Sequence, residues 1–365
     1  MYMMVNSLFI IKYGESHGLL FLIGYWIIIS GAGVCYLRLS VQEKFYQWCF
    51  SSATAVFFIF SLYLNHKVDG YSLNVDRWSA METGIEAVLD GKYPYDIPDH
   101  MGQESSNLPV LILLGMPVYL LFGSVGYLQS FIFLLFSYTV FVLFRTYRQR
   151  LGVLLLFVIS PAYVWEIYVK SDLASNFIIV AGFSGLVWNR FLARPKMRPE
   201  SVSVLTALLL LTRLSSVIPA GILLFRKFYL SSAGEKLRFV SVFLVTISVI
   251  LYLFFSLSPD LHTLLKHNPF FIQGTKQPLW LSVSYIILAF LLSLRIRSLY
   301  DVFLFSGILL FICVFIPFIL CLAEYGYRAT VADSFFDISF FNMSMPFIVI
   351  TLGMVFLINP DKEKS

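Results

Sequence analysis

The chain runs repeatedly through about twenty consecutive apolar residues, which is the length that crosses a lipid bilayer as an α-helix. Of its 365 residues, 59% are hydrophobic and 13% are charged, whereas a soluble domain has roughly 25% charged residues. One globular core could not bury so many apolar side chains. The sequence therefore predicts an all-α polytopic membrane protein that forms a single transmembrane domain over residues 1–365.

Most of the apolar runs are uninterrupted. They predict membrane helices at residues 18–37, 46–64, 126–144, 151–168, 173–189, 239–257, 279–294, 299–322 and 340–358. Residues 201–225 are broken at Thr212-Arg213 and at Pro219, which predicts two short helices with Arg213 at the turn. Residues 108–123 contain Pro109 and Pro117 and predict a short interfacial or re-entrant segment. We therefore expect about ten to eleven transmembrane helices.

The basic residues predict the orientation, because Lys and Arg concentrate in cytoplasmic loops. If 108–123 does not span, 17 of the 26 Lys and Arg lie on one side. They are Arg38, Lys44, Arg145, Arg148, Arg150, Arg190, Arg194, Lys196, Arg198, Arg226, Lys227, Lys236, Arg238, Arg295, Arg297, Lys362 and Lys364. We take this side as cytoplasmic and the N-terminus as external. The net charge of +5 then reports topology, and nucleic acid is not expected as a partner.

The first external loop, residues 65–107, is acidic, with eight carboxylates against three Lys and Arg. Asp76 can cap a helix that runs from about Arg77 to Leu89 and ends at Gly91. We expect this helix to lie on the membrane surface. Trp78 and the tyrosines of the Lys92-Tyr93-Pro94-Tyr95 stretch would then sit at headgroup depth, where amphipathic rings are enriched.

Asp76 has two interpretations. A carboxylate fixed just above the bilayer can take the proton of a sugar hydroxyl while a lipid-linked donor approaches from the leaflet. Asp is also a favoured helix cap, so a purely structural role stays open. Asp69, which is closer to the preceding helix, is the second candidate for the base.

The order of several motifs resembles the GT-C superfamily of polyprenyl-phosphate-sugar-dependent glycosyltransferases, in particular the branch of bacterial polyprenyl-phosphomannose mannosyltransferases. The motifs are Val75-Asp76-Arg77-Trp78, Gly91-Lys92-Tyr93-Pro94-Tyr95, Asn107-Leu108-Pro109, Ser160-Pro161 and Lys170-Ser171-Asp172. The resemblance covers roughly residues 60–225. The chain departs from the pattern in having two helices before the loop and no Asp-x-Asp within it.

The resemblance implies an inverting transferase in which Asp76 activates the acceptor hydroxyl and cations stabilise the phosphate that leaves. Arg213 is the first choice for a phosphate ligand, since an Arg in a broken helix pair needs a partner or a task. Its structural alternative is an ion pair with Asp172 or Glu166. The other expected donor-binding residues are Arg77, Lys170, Asp172, Tyr93, Tyr95 and Arg328. Lys170 and Asp172 could instead be ordinary charges at a helix end.

The expected partners are a polyprenyl-phosphate sugar, a glycan or glycolipid acceptor and membrane lipid. We expect no cofactor and no metal ligand, with a divalent cation left open. The resemblance implies a bacterial cytoplasmic membrane with the site on the periplasmic face. One alternative is a lipid-linked oligosaccharide polymerase or ligase, whose large external loop usually comes late in the chain. Another is a non-enzymatic transporter or flippase, which would show charged mid-helix positions or paired broken helices.

Overall fold

The computed structural model describes residues 1–194, 196–274 and 277–356, which fold into helices with no β-strand among them. The first helices are α1 (Tyr2–Tyr13), α2 (Gly18–Arg38), α3 (Glu43–Lys67), α4 (Arg77–Leu89), α5 (Pro109–Phe122), α6 (Leu128–Leu143), α7 (Tyr147–Val158), α8 (Pro161–Tyr168) and α9 (Leu173–Val187). They are followed by α10 (Pro199–Leu210), α11 (Val217–Leu230), α12 (Ala233–Phe255), α13 (Leu261–Lys266), α14 (Pro269–Gly274), α15 (Leu279–Ser293), α16 (Leu299–Tyr327) and α17 (Met345–Phe356). The prediction of an all-α chain is confirmed for this part of the sequence.

Among the described residues, five helical segments are long and apolar enough to cross a membrane. They are Glu15–Arg38, Glu43–Lys67, Val125–Leu143, Ala233–Phe255 and Leu299–Ala332. Two bent pairs raise the number to seven, namely α7 with α8, bent by 61°, and Leu261–Gly274 with Leu279–Ser293, bent by 59°. The chain is thus an integral membrane protein. The finer count of ten to eleven crossings stays a prediction, because α5, α9, α10, α11 and α17 hold only 12 to 15 residues each.

One predicted helix and one predicted interruption agree with the structure, and one break was missed. Helix α4 occupies the predicted Arg77–Leu89, and α10 and α11 are separated around Arg213 as expected. The predicted continuous helix 151–168 is wrong, because the chain breaks between α7 and α8. Pro161 cannot donate a hydrogen bond to the preceding turn, and it starts a new helix at the first helical position.

The sequence also gave no indication of α1. This helix packs against α8 through Asn6, which is buried. The side-chain oxygen of Asn6 accepts hydrogen bonds from Ser160 Oγ at 2.6 Å and from the Ala162 amide at 3.2 Å. Because the first amides of a helix have no partner within the helix, Asn6 serves as a cap for α8 from another part of the chain.

Hydrogen bonds join several of the basic turns at one end of the molecule. Arg148 Nη2 donates to the Leu37 carbonyl at 2.6 Å, and Arg226 Nη1 donates to the Ile296 carbonyl at 2.6 Å. Arg238 lies 3.6 Å from the Glu200 carboxylate. The end of α2 therefore contacts the start of α7, the end of α11 contacts the turn before α16, and the start of α12 contacts the start of α10. Lys362 and Lys364, which the topology prediction also used, lie outside the described residues.

The opposite end of the molecule gathers the acidic loop and the other segments that were expected to be external. Tyr93 Oη donates to the His267 carbonyl at 3.3 Å, and Gln273 Nε2 donates to the Ser106 carbonyl. Arg77 forms an ion pair with Asp337. Segments that are far apart in the chain thus form one layer above the helices, and this layer contains the candidate site.

Candidate functional site

Asp76 occupies the residue before the first turn of α4, but its side chain makes no helix-capping hydrogen bond. Among the described residues, its carboxylate has no hydrogen-bond donor and no cation within 4.0 Å. The side chain is partly buried, and it lies within electrostatic range of Arg77. The structural alternative for Asp76, a helix cap, therefore does not account for this carboxylate.

Arg77 lies at the centre of a group of carboxylates, and its side chain is only 12% exposed. Nη1 donates to Ser171 Oγ at 3.0 Å and lies 4.0 Å from Glu166 Oε1, and Nη2 pairs with Asp337 Oδ2. The Phe340 ring centroid is 5.1 Å from the guanidinium carbon. Arg77 thereby connects the acidic loop to the segment after α8 and to the segment before α17.

Arg213 and Asp172 form a buried ion pair. Nε and Nη2 of Arg213 both donate to Oδ2 of Asp172, with a distance of 3.1 Å from Nε. The two side chains are 8% and 2% exposed. This geometry is the structural alternative that the sequence left open for Arg213. The other carboxylate oxygen, Asp172 Oδ1, is buried and has no hydrogen-bond partner.

Lys170 presents an ammonium group without a strong partner. The residue is 8% exposed, and among the described residues no carboxylate lies within 4.0 Å of Nζ. The centroid of the Trp78 ring is 5.9 Å from Nζ. The backbone of Lys170 is left-handed, with φ of 55°, a conformation that costs an L-residue about 1–2 kcal/mol. Burial lowers the pKa of Lys170, and Glu82 and Asp69 partly offset that effect.

We define the charged cluster as Asp76, Arg77, Glu166, Lys170, Asp172, Arg213 and Asp337. Two of its members were not predicted as site residues. Glu166 is fully buried; Oε1 accepts a hydrogen bond from Asn342 Nδ2 at 2.9 Å, and Oε2 accepts one from the Ala174 amide at 3.2 Å. Asp337 follows α16 in a segment with no recognisable motif. Neither carboxylate could be assigned before the distant segments were seen together.

Asp337 is held as a carboxylate by its surroundings. Desolvation by the surrounding atoms alone would raise the pKa of Asp337, although 46% of its side-chain surface is exposed; Arg77 and the hydrogen bonds from Ser339 outweigh that effect and lower the pKa. Helix α1 adds two further groups, because Lys12 and Tyr13 lie within electrostatic range of Asp337. Burial, followed by the charge of Asp337, raises the pKa of Tyr13.

The other predicted site residues are not members of the charged cluster, although Asp69 lies within electrostatic range of Lys170. Asp69 is exposed and accepts a hydrogen bond from the Tyr71 amide at 3.1 Å, which caps a short 3₁₀ turn. Tyr93 and Tyr95 are buried with Met81 and Ile85 in an apolar cluster between α4 and α5. Burial raises the pKa of Tyr93 to about 12. These tyrosines form the core that holds α4 in place.

Arg328 is not a member of the charged cluster. It is exposed in a short π-helical turn after α16, and among the described residues its side chain forms no ion pair with a carboxylate. Glu82 also lies outside the charged cluster, and it accepts hydrogen bonds from Ser124 Oγ and the Val125 amide, each at 2.8 Å. It fixes the turn after α5, and burial raises the pKa of Glu82.

A groove of about 460 Å³ begins beside the charged cluster. It lies between α5, α6, α9 and α10, with Val110 and Thr212 at one end and Arg190 at the other. Thr212 is the residue before Arg213. Most of the remaining lining is apolar, and Tyr138 and Leu186 on its walls are 64% and 45% exposed. The groove is therefore open to the lipid side of the helices.

No family model, no curated protein and no solved structure matches this chain.

Proposed function

We propose that the protein is a membrane glycosyltransferase of the GT-C type, which moves a hexose from a polyprenyl-phosphate donor to a glycan or glycolipid acceptor on the external face. Mannose is the first sugar to test. The observation that carries the proposal is the free carboxylate of Asp76 beside the buried guanidinium of Arg77, in the layer that also holds Lys170 and the Arg213–Asp172 pair. The fold and the groove support this proposal, and the choice of family rests on the sequence motifs.

In the proposed reaction, Asp76 takes the proton of the acceptor hydroxyl as that oxygen attacks C1 of the donor sugar. The bond between C1 and the phosphate oxygen breaks, and the electron pair leaves with polyprenyl phosphate. Attack from the face opposite the leaving group inverts C1. The leaving phosphate gains negative charge as the bond breaks, so cations fixed nearby stabilise the transition state.

Lys170 is the best candidate for the phosphate ligand. The guanidinium groups of Arg77 and Arg213 are each paired with a carboxylate, Asp337 and Asp172 respectively. The Lys170 ammonium has no such partner, and its buried position makes its attraction for phosphate stronger than at the surface. We therefore assign direct phosphate binding to Lys170, and we assign to Arg213 the task of holding Asp172 in place.

The apolar groove supplies a place for the prenyl chain of the donor. It begins at Thr212, next to the Arg213–Asp172 pair, and continues between α6 and α10 away from the charged cluster. A prenyl chain lying there could end with its phosphate near Thr212, the residue before Arg213. Partial exposure of Tyr138 and Leu186 would let the chain enter from the bilayer without leaving the lipid.

The test compares two substitutions of the same kind in the same loop. Purified protein in liposomes would receive a sugar-labelled polyprenyl-phosphate mannose and membrane extract as the source of acceptor. Asp76→Asn should abolish label transfer, by roughly a hundredfold or more, with an unchanged melting temperature. Asp69→Asn should keep activity, because Asn can also accept the Tyr71 hydrogen bond. Full activity of Asp76→Asn would show that Asp76 is not the general base.

A non-enzymatic transporter or flippase is the second candidate. The observation that favours it is the presence of broken helices, α7 with α8 and α10 with α11, next to the buried charges Glu166 and Arg213. The same liposomes separate the two functions. Movement of intact labelled donor across the bilayer, without release of polyprenyl phosphate, would support the transporter and contradict the transferase.

A further inference from the structure

A second and larger cavity lies at the other end of the molecule, among the basic turns. It has a volume of about 770 Å³, which is within the range of roughly 300–1,000 Å³ that is typical of ligand sites. Its walls come from α10, α11 and α12, with Phe290 contributed by α15. The cavity does not touch the charged cluster, and the proposed transferase reaction does not use it.

The interior of this cavity is apolar and aromatic. Phe191, Leu224, Phe225, Phe239, Phe243 and Phe290 line it. Phe225 and Phe290 stack with ring centroids 4.5 Å apart, and Phe239 and Phe243 stack at 6.4 Å. Helix α12 packs on α10 and α15 packs on α11, and the space between these two pairs is left for a hydrocarbon chain.

Three cations line the same cavity, namely Lys196, Arg198 and Lys227. All three are exposed, and within the described ranges none of their side chains has a carboxylate within 4.0 Å. The one acidic residue in the lining, Glu235, is held in the capping box at the start of α12, where it accepts a hydrogen bond from the Ser232 amide. The charge at this cavity is therefore predominantly positive.

We propose that this cavity is a binding site for an anionic diacyl phospholipid of the membrane leaflet. The acyl chains would fill the apolar interior, and the phosphate would contact Lys196, Arg198 and Lys227. Basic pockets between membrane helices bind anionic headgroups because each Lys or Arg near the surface adds to the attraction. A zwitterionic lipid offers the same chains without net charge, so the three cations select for the anionic headgroup.

Native mass spectrometry of the full-length protein in detergent tests the site directly, with phosphatidylglycerol and phosphatidylcholine of the same chain length as probes. We expect phosphatidylglycerol to be retained with at least tenfold higher affinity than phosphatidylcholine. The variant Lys196→Gln/Arg198→Gln/Lys227→Gln should lose about a hundredfold in that affinity, because each charge contributes roughly fivefold. The matched control is Arg38→Gln/Lys44→Gln/Arg145→Gln, which removes three exposed charges away from the cavity and should bind as the wild type does.

A second variant tests the apolar part of the site. Val240 lines the cavity and is 38% exposed, so Val240→Trp adds volume without disturbing a buried position. It should weaken retention of both lipids to a similar extent. The proposal would be overturned if the two lipids bound equally well, or if the triple variant and its control lost the same affinity. It would also be overturned if an equimolar polyprenyl phosphate displaced phosphatidylglycerol. The readout is independent of sugar transfer, so its failure is distinguishable from failure of the proposed function.

Discussion

Arg213 and Asp172 are joined through a single carboxylate oxygen, Oδ2, while Oδ1 of Asp172 is buried without a hydrogen-bond donor. The pair joins two segments of the chain, because Asp172 directly precedes α9 and Arg213 lies between α10 and α11. The unsatisfied oxygen is an acceptor for a hydrogen-bond donor of a bound ligand. A buried acceptor without a partner is costly, so a ligand that supplies a donor there gains that energy.

We expect Asp172→Asn to lower the free energy of unfolding by about 3–5 kcal/mol, because it leaves the Arg213 guanidinium buried without a counter-charge. Thermal unfolding in detergent, followed by the fluorescence of the tryptophans, would measure the change. The double variant Asp172→Leu/Arg213→Met should recover most of the stability, since an apolar pair of similar volume removes both buried charges. A double variant as unstable as Asp172→Asn would show that packing, and not the unpaired charge, is the cause.

The variant Lys170→Gly removes both the ammonium group of Lys170 and its backbone strain, and the two effects are measured separately, as sugar transfer and as stability. Glycine adopts φ of 55° without cost, so the stability should hold or rise by about 1 kcal/mol. Loss of the ammonium should lower sugar transfer by roughly a hundredfold to a thousandfold, as for other lost transition-state contacts. Initial rates with the labelled donor would measure this.

Ser334→Gly is the matched control for Lys170→Gly, because Ser334 also has a positive φ, of 62°, and is exposed. It should gain similar stability and keep full activity. A Lys170→Gly variant that transfers sugar at the wild-type rate would show that Lys170 does not bind the phosphate.

The Arg77–Asp337 pair makes stability depend on pH in the acidic range. The pKa of Asp337 is lowered in the folded protein, so between that value and about 3.9 the unfolded chain binds more protons than the folded one. The stabilisation is fully present above about pH 4 and is lost as the pH falls further. We expect the melting temperature of Asp337→Asn to lie below that of the wild type at neutral pH. The difference between the two melting temperatures should become smaller as the pH falls below about 4.

Asp90→Asn provides the control for that pH series. Asp90 pairs with Lys92 at 3.0 Å, but the two side chains are 63% and 65% exposed, and exposed pairs contribute about 0–1 kcal/mol. Its melting temperature should follow that of the wild type at each pH. A difference for Asp337→Asn that is independent of pH would contradict the ion-pair explanation.

Local signals were sufficient to predict much of the fold. The helix over Arg77–Leu89 has a clear start and a Gly91 terminator, and the break at Arg213 follows from a charge within an apolar run. Helix α1 was missed because it is held by packing against α2, α8 and α17, which no local pattern in the first residues shows. The break before Pro161 was missed because the surrounding residues are continuously apolar.

The site was predictable only in part, for a related physical reason. The sequence correctly suggested that Arg213 could pair with Asp172, because a buried cation requires a counter-charge. It gave no means of choosing Asp337 as the partner of Arg77, 260 positions further along the chain. Tyr93 and Tyr95 were assigned to the donor site from their motif, whereas the structure places them in the apolar cluster beneath α4. Pairings over such distances depend on how the helices pack.

The cap that Asn6 provides for α8 affects the order in which the protein can assemble. Helix α1 packs against α2, which follows it directly in the chain, and also against α8, the turn at Ile338–Met343 and α17. Synthesis proceeds at roughly 5–20 residues per second, so α1 and α2 can pack together before α8, which begins at Pro161, has been made. The hydrogen bonds from α8 to Asn6 are thus formed later than the contact between α1 and α2.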